Sequence, residues 1–129
     1  MKVLNFEDSV YKANAIRKVL NQCGVAKIEL VSNVEDGLQM LKNAEDAGAP
    51  FDLIITDMHY PMKQGAVSDT EAGEKLVQLL QEQGKQTKVI VCSSRNMKLP
   101  GVYGCIWYSE IRDWEEELCD LVREMEKNR

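Results

Sequence analysis

Acidic and hydroxyl side chains follow three of the apolar runs of this sequence. Asp57 ends the run Leu-Ile-Ile-Thr, the pair Glu7-Asp8 follows the first extended run, and Ser93 follows Val-Ile-Val-Cys. Carboxylates held close together repel one another, so they stay ionised together only when a cation compensates their charge. Oxygen ligands of this kind suit Mg²⁺ or Mn²⁺, and a carboxylate beside such an ion can attack a phosphoryl group. The pattern therefore predicts a metal-assisted phosphoryl site.

Each of these residues also has a purely structural interpretation. Asp57 can cap a turn, and Glu7 and Asp8 can be the acids that the N-terminus of a helix favours. Ser93 can be a simple helix cap. It is less plausible that all of these residues fall at matching strand ends by chance. Their common placement therefore favours the phosphoryl site.

Strands and helices alternate along the chain, and this order decides where the polar residues meet. Short apolar runs predict strands, and apolar residues at three- and four-residue spacing predict helices between them. The predicted strands are 2–6, 27–31, 53–56, 88–92 and 104–108, and the helical patterns span 10–23, 34–44, 72–80 and 111–125. Such alternation predicts a parallel sheet covered on both faces, with ligands bound at the edge where the strands end.

Capping residues mark where the helices begin. Asp8 or Ser9 is expected to cap the first helix. The Ser-x-x-Glu sequence at 32–35 has the form of a capping box for the second helix. Asp69 or Thr70 is expected to cap the third.

Composition limits the remaining possibilities. A chain of 129 residues predicts one domain over 1–129, and its polar end suggests a self-contained unit. The net charge of −5 and pI near 4.9 argue against a nucleic-acid or anionic-membrane surface. No run is long enough to span a membrane and no signal-peptide pattern is present. The four cysteines lack metal-type spacing, which favours reduced thiols in a cytoplasmic protein.

These residues together resemble the receiver domain of bacterial two-component response regulators, the CheY-like family, across essentially the whole chain. The similarity rests on Glu7-Asp8 after the first strand, Asp57 after Leu-Ile-Ile-Thr, Pro61 and Gly65 beyond it, and Ser93. It implies a flavodoxin-like three-layer α/β/α sandwich with a five-stranded parallel sheet in the order 2-1-3-4-5.

The resemblance also implies roles for the site residues. Asp57 would accept a phosphoryl group from a histidine kinase. Glu7, Asp8, Asp57 and the main-chain carbonyl of His59 would hold Mg²⁺ (or Mn²⁺). Ser93 would bond the phosphoryl group and shift with it.

The end of the fifth predicted strand departs from the family. The lysine expected there aligns with Tyr108, and the following proline aligns with Ser109. The aromatic switch residue falls on Cys105, unless a different register brings Tyr103 or Trp107 to that role. The loss of this lysine removes a cation from the phosphoryl site and weakens the expected conformational response.

Two further departures concern length. The connection 95–103 leaves room for a helical turn or two, so the fourth helix of the family is shortened. Residues 66–71 form an insertion before the third predicted helix.

The leading interpretation is a stand-alone receiver that is phosphorylated on Asp57 with Mg²⁺ and signals by protein contact. Its partners would be a sensor histidine kinase or phosphotransfer protein and a downstream protein. Apart from its own phosphorylation and dephosphorylation it would not be an enzyme.

The alternative is a pseudo-receiver, an interaction module independent of phosphorylation. A small phosphohydrolase is disfavoured, because His59 stands where a second acid is needed. The imidazole of His59 is expected to be an exposed loop side chain.

Overall fold

The structure, a computed structural model, describes residues 1–128 and contains one main parallel sheet and one small ribbon. The sheet strands are β1 (Lys2–Phe6), β2 (Lys27–Val31), β3 (Leu53–Thr56), β6 (Lys88–Ser93) and β7 (Gly104–Trp107), and the ribbon strands are β4 (Tyr60–Pro61) and β5 (Ser68–Asp69). The sheet order is β2-β1-β3-β6-β7, with every pair parallel. Counting only these five strands, this is the order 2-1-3-4-5, which confirms the predicted flavodoxin-like sheet.

Four helices cover the two faces of the sheet. They are α1 (Val10–Gln22), α2 (Val34–Asp46), α3 (Ala72–Glu82) and α4 (Trp114–Lys127). Leu41 of α2 and Leu76 of α3 pack with Ile54 on one face. Ile16 of α1 and Leu118 of α4 pack with neighbouring β3 residues on the other face. None of the helices in residues 1–128 combines the length and apolar character that a membrane crossing requires.

The helix starts follow the predicted chemistry with two corrections. Ser9 caps α1 and accepts a hydrogen bond from the Lys12 amide. The prediction of Ser32 as the cap of α2 is wrong by one residue. Asn33 holds that position, accepting from the Asp36 amide and donating to the Asp36 carboxylate, both at 2.8 Å. The second of these bonds comes from the Asn33 side-chain amide and not from its backbone N–H, so the start of α2 has a side-chain cap without the predicted capping box.

The start of α3 is also different from the prediction. Its N-cap is Glu71, whose side chain makes no capping bond, so neither Asp69 nor Thr70 is the cap. Asp69 instead belongs to β5, accepts from the Glu71 amide and pairs with Lys75 at 2.5 Å. The insertion therefore contributes β5, which pairs antiparallel with β4 to form the short ribbon.

The connections on either side of β7 are the least regular part of the chain. Residues 94–103 contain bends and a turn and no helix, so the shortened fourth helix is absent altogether. β6 runs to Ser93, and β7 ends at Trp107 rather than at 108. Ile111, expected on the buried stripe of the last helix, lies before α4 and is 79% exposed.

The prediction that all four cysteines are reduced is wrong. Cys23 and Cys119 form a disulfide, while Cys92 and Cys105 are free. Cys23 is the C-cap of α1 and Cys119 lies in α4. These helices share one face of the sheet, which brings residues 96 positions apart in sequence to a Cα–Cα distance of 5.8 Å.

Candidate functional site

The register of the three central strands brings the polar residues together. Phe6 is opposite Thr56, so Glu7 and Asp57 leave adjacent strands at the same level. The amide of Asp57 donates to the Phe6 carbonyl at 3.1 Å. Ser93 is the last residue of β6, on the other side of β3. The edge where the strands end therefore collects the predicted residues.

A cavity of about 270 Å³ opens at this edge. Among its lining residues are Asp8, Asp57, His59, Ser93 and Arg95. Asp8 and His59 are exposed, whereas the side chain of Asp57 is 16% exposed. The exposure of His59 agrees with its prediction as a loop side chain. The cavity gives a ligand from solvent direct access to the Asp57 carboxylate.

Glu7 is the one predicted site residue that does not line this cavity. It is 2% exposed, and its Oε2 accepts from the Ser9 amide at 3.1 Å. Its Oε1 lies 3.1 Å from Lys12 Nζ, an ion pair without good hydrogen-bond geometry. Burial raises the pKa of Glu7, and the charge of Lys12 lowers it by less.

Lys12 also lies at this site, although the sequence patterns did not single it out. Its Nζ donates to the Cys92 carbonyl at 2.7 Å and lies 3.3 Å from Asp57 Oδ1. Burial alone would lower the pKa of Lys12, but the nearby negative charges, Asp57 foremost, together outweigh burial and raise the pKa above its usual value. The available signal was a lysine four residues before Ile16, on the buried face of the helix.

The two oxygens of the Asp57 carboxylate have different surroundings. Oδ1 accepts from the Met58 amide at 2.7 Å and faces Lys12. Within residues 1–128 no hydrogen bond reaches Oδ2, which leaves this oxygen available to a ligand in the cavity. Ser93 Oγ accepts from the Arg95 amide at 3.1 Å, so its own proton remains available to donate.

Buried contacts fix the loop that carries Asp57. Thr56 Oγ1 donates to the Asp57 carbonyl at 2.7 Å and must therefore accept from the Tyr60 hydroxyl, also at 2.7 Å. Burial raises the pKa of Tyr60, which keeps this hydroxyl protonated. The amide of Gly73 donates to the Met58 carbonyl, and a Cβ at Gly73 would lie 2.3 Å from the Asp57 carbonyl oxygen. Only glycine permits α3 to approach this closely.

The donors at the cavity fit a hard divalent cation. No three His, Cys, Asp or Glu side chains converge as a ligand set in the described part of the chain. Mg²⁺ does not need three, because one or two carboxylates, a carbonyl and several waters complete its octahedron. Asp8 and Asp57 supply two carboxylates, and His59, whose main-chain carbonyl is the predicted third ligand, lines the same cavity. Glu7 is turned toward Lys12, and its predicted role as a ligand stays a prediction.

Tyr108 occupies the position where the resemblance expects a lysine. Its ring centroid lies 5.2 Å from Lys12 Nζ and 4.8 Å from the ring of Trp114. Tyr108 therefore brings an aromatic ring, rather than a charge, to this side of the site.

Comparison with known proteins supports the fold. No family model and no curated protein matches the sequence. Solved structures do match. The receiver domain of the Francisella response regulator 1452 superimposes with a TM-score of 0.72 at 17% identity, covering 99% of this chain and 98% of that one. The chemotaxis response regulator CheY4 of Vibrio cholerae gives 0.66 at 21% identity, covering 96% and 97%. The response regulator RPA3017, in red light signalling of R. palustris, gives 0.68 at 20% identity, covering 93% and 90%. This chain therefore has the fold of CheY-like response regulator receiver domains.

Proposed function

We propose that this chain is a receiver that accepts a phosphoryl group on Asp57 from a histidine kinase or phosphotransfer protein. The observation that carries the proposal is the Asp57 carboxylate, fixed at the end of the central strand, with Oδ2 open to a cavity that Asp8 and Ser93 also line. The similarity to receiver structures supports the same role. The signal would then pass to a downstream protein by direct contact.

The transfer requires a nucleophile, a leaving group and compensation of charge. Oδ2 of Asp57 attacks the phosphorus, a new P–O bond forms, and the bond to the donor histidine nitrogen breaks with its electron pair on that nitrogen. The product is an acyl phosphate on Asp57. Ser93 is placed to donate its hydroxyl proton in a hydrogen bond to a phosphoryl oxygen.

We further propose that Asp8, Asp57 and the main chain of His59 hold Mg²⁺ during the transfer. When bound, the ion would supply positive charge to the phosphoryl oxygens. Without a cation, Glu7, Asp8 and Asp57 together with Lys12 leave an excess of negative charge at this edge, which would repel an incoming phosphate.

A pseudo-receiver is the second candidate, and two specific features favour it. Residues 94–103 contain no helix, and position 108 carries no cation. A chain of this kind would use the fold as an interaction module and would not respond to phosphodonors. Two observations favour the receiver instead. Asp57 Oδ2 accepts no hydrogen bond within residues 1–128, and the Ser93 hydroxyl has its proton available to donate.

The test is intact-mass analysis after incubation with acetyl phosphate and Mg²⁺. The proposal expects an adduct of one phosphoryl group on the wild-type chain and none on Asp57→Asn. Asp46→Asn is the matched control, because this exposed aspartate pairs only with Lys42 on the far side of α2 and should leave labelling unchanged.

Two results would contradict the proposal. One is an absence of adduct under conditions that label an ordinary receiver, which favours the pseudo-receiver. The other is an adduct that survives in Asp57→Asn, which places the acceptor elsewhere. A Mg²⁺ titration followed by tryptophan fluorescence tests metal binding independently of labelling, since Trp114 contacts Tyr108 beside Lys12.

A further inference from the structure

The environment of Lys12 is unusual for a lysine in the first turn of a helix. It is 7% exposed, and its ammonium group lies among the Cys92 carbonyl, the Glu7 carboxylate and the Asp57 carboxylate. Taking a lysine out of water is costly unless its charge is compensated. The fold supplies that compensation at the acceptor itself.

We infer that Lys12 is the cation of the phosphoryl site. This cation comes from α1 and not from the end of the last strand, and it offsets the negative charge that accumulates beside Asp57 during transfer. The inference rests on the proposed phosphorylation of Asp57. It assigns to Lys12 a contact with the reacting carboxylate that no other side-chain ammonium or guanidinium in residues 1–128 makes within 4 Å.

The surrounding groups hold Lys12 in place for this role. The Cys92 carbonyl accepts a hydrogen bond from the ammonium group at 2.7 Å, and Glu7 is a buried counter-ion whose other oxygen is fixed by the Ser9 amide. The ammonium group therefore stays beside Asp57 Oδ1, while no hydrogen bond within residues 1–128 reaches Oδ2. A positive charge fixed in advance beside a reacting carboxylate costs no reorganisation during transfer.

Tyr108 completes the argument from the other side. Its ring lies over Lys12 Nζ, so the position where a lysine would be expected is directly next to the lysine that is present. A lysine at position 108 would bring a second ammonium group to this place. The two positions are therefore alternative sources of one charge, which can be tested by exchanging them.

Arg95 is the competing cation, because it also lines the cavity. Its side chain is exposed, and its backbone amide, rather than its guanidinium group, makes the bond to Ser93. It lies on the connection 94–103, which has no regular structure. Burial and direct contact with Asp57 favour Lys12.

The experiment measures the rate of phosphoryl labelling by acetyl phosphate and Mg²⁺, using intact mass. Lys12→Met should lower the rate by about 10²-fold, the size of effect seen when one charge-stabilising donor is removed from an active site. Lys12→Met combined with Tyr108→Lys should recover at least about tenfold of that loss. Lys18→Met, an exposed lysine on the same helix, should label like the wild type.

The controls separate this inference from the function on which it rests. Failure of the wild-type chain to label overturns both. Labelling of Lys12→Met within a factor of about three of the wild type overturns the inference alone. The inference is also overturned if Arg95→Gln loses as much of the labelling rate as is expected of Lys12→Met, while Lys12→Met itself is unaffected. A purely structural role for Lys12 would give a slow variant that the Tyr108→Lys exchange does not rescue, and this also overturns it.

Folding is followed by thermal unfolding in parallel. If Lys12→Met does not fold, Glu7→Gln is added to it, because the methionine then has no buried carboxylate beside it except Asp57. This double variant is compared with Glu7→Gln alone: labelling at least about tenfold slower than that single variant is expected, and equal rates would refute the inference.

Discussion

The close approach of α3 to the loop that carries Asp57 gives a sharp prediction for Gly73→Ala. An added Cβ would lie 2.3 Å from the Asp57 carbonyl oxygen and 3.1 Å from the Met58 Cα, both backbone atoms. Restoring normal contact requires a displacement of about 1 Å. A contact this short with backbone atoms places the cost at the upper end of the roughly 1–3 kcal/mol typical of overpacking, and the better helix propensity of alanine returns about 1 kcal/mol. We expect a net loss of about 2 kcal/mol in the free energy of unfolding.

This loss has two measurable consequences. The midpoint of thermal unfolding should fall by roughly 6–10 °C for a domain of this size. Phosphoryl labelling of the folded protein should slow by up to about 10²-fold, because a displacement of about 1 Å at a reacting group is enough to misalign it. Circular dichroism during heating and intact mass after incubation with acetyl phosphate and Mg²⁺ measure the two effects separately.

Gly37→Ala is the matched control. A Cβ at Gly37 would lie 2.0 Å from the buried ring of Phe6, so this variant should lose stability to a similar degree without touching Asp57. Its labelling, measured well below its unfolding temperature, should match the wild type. The reasoning is refuted if Gly73→Ala keeps both its stability and its labelling rate, or if Gly37→Ala slows labelling equally.

Two further predictions concern the cysteines. Replacing Cys23 and Cys119 by serine should lower the free energy of unfolding by about 2–4 kcal/mol, because the disulfide closes a long loop between α1 and α4. Denaturant unfolding of the wild type with and without reductant should show the same difference, and no difference would contradict it. Burial raises the pKa of Cys92 to about 12, so at pH 8 roughly one in ten thousand of its thiols is ionised. Iodoacetamide at pH 8 should therefore modify the half-buried Cys105 first and Cys92 only on unfolding, and peptide mapping that finds Cys92 modified early would disprove this.

The sheet could be predicted from the sequence because its strands are short apolar runs that alternate with amphipathic helices. β3 is buried on both faces and carries no charged residue, so the first charged residue after it marks its end, and that residue is Asp57. Asp8 and Ser93 followed by the same argument, since parallel strands end at one edge. All three line one cavity.

The remaining features depend on contacts that no local pattern encodes. The ion pair of Lys12 with Asp57 joins residues 45 positions apart, and an isolated lysine in a helical pattern is normally solvated. The ribbon of β4 and β5 has strands of two residues, too short to show a period. The disulfide depended on α1 and α4 sharing a face of the sheet, which is a property of the assembled fold.

The position of Lys12 has a consequence for how this site can vary during evolution. Glu7, Asp8 and Lys12 lie within six consecutive residues, so most of the charge at the site is inherited as one contiguous segment. The end of β7 carries no part of that charge, and Tyr108, which follows it, packs its ring against Trp114. Substitutions, insertions and deletions between residues 94 and 108 can therefore accumulate without removing the cation beside Asp57. Descendants of this chain would therefore be expected to diverge most between residues 94 and 108.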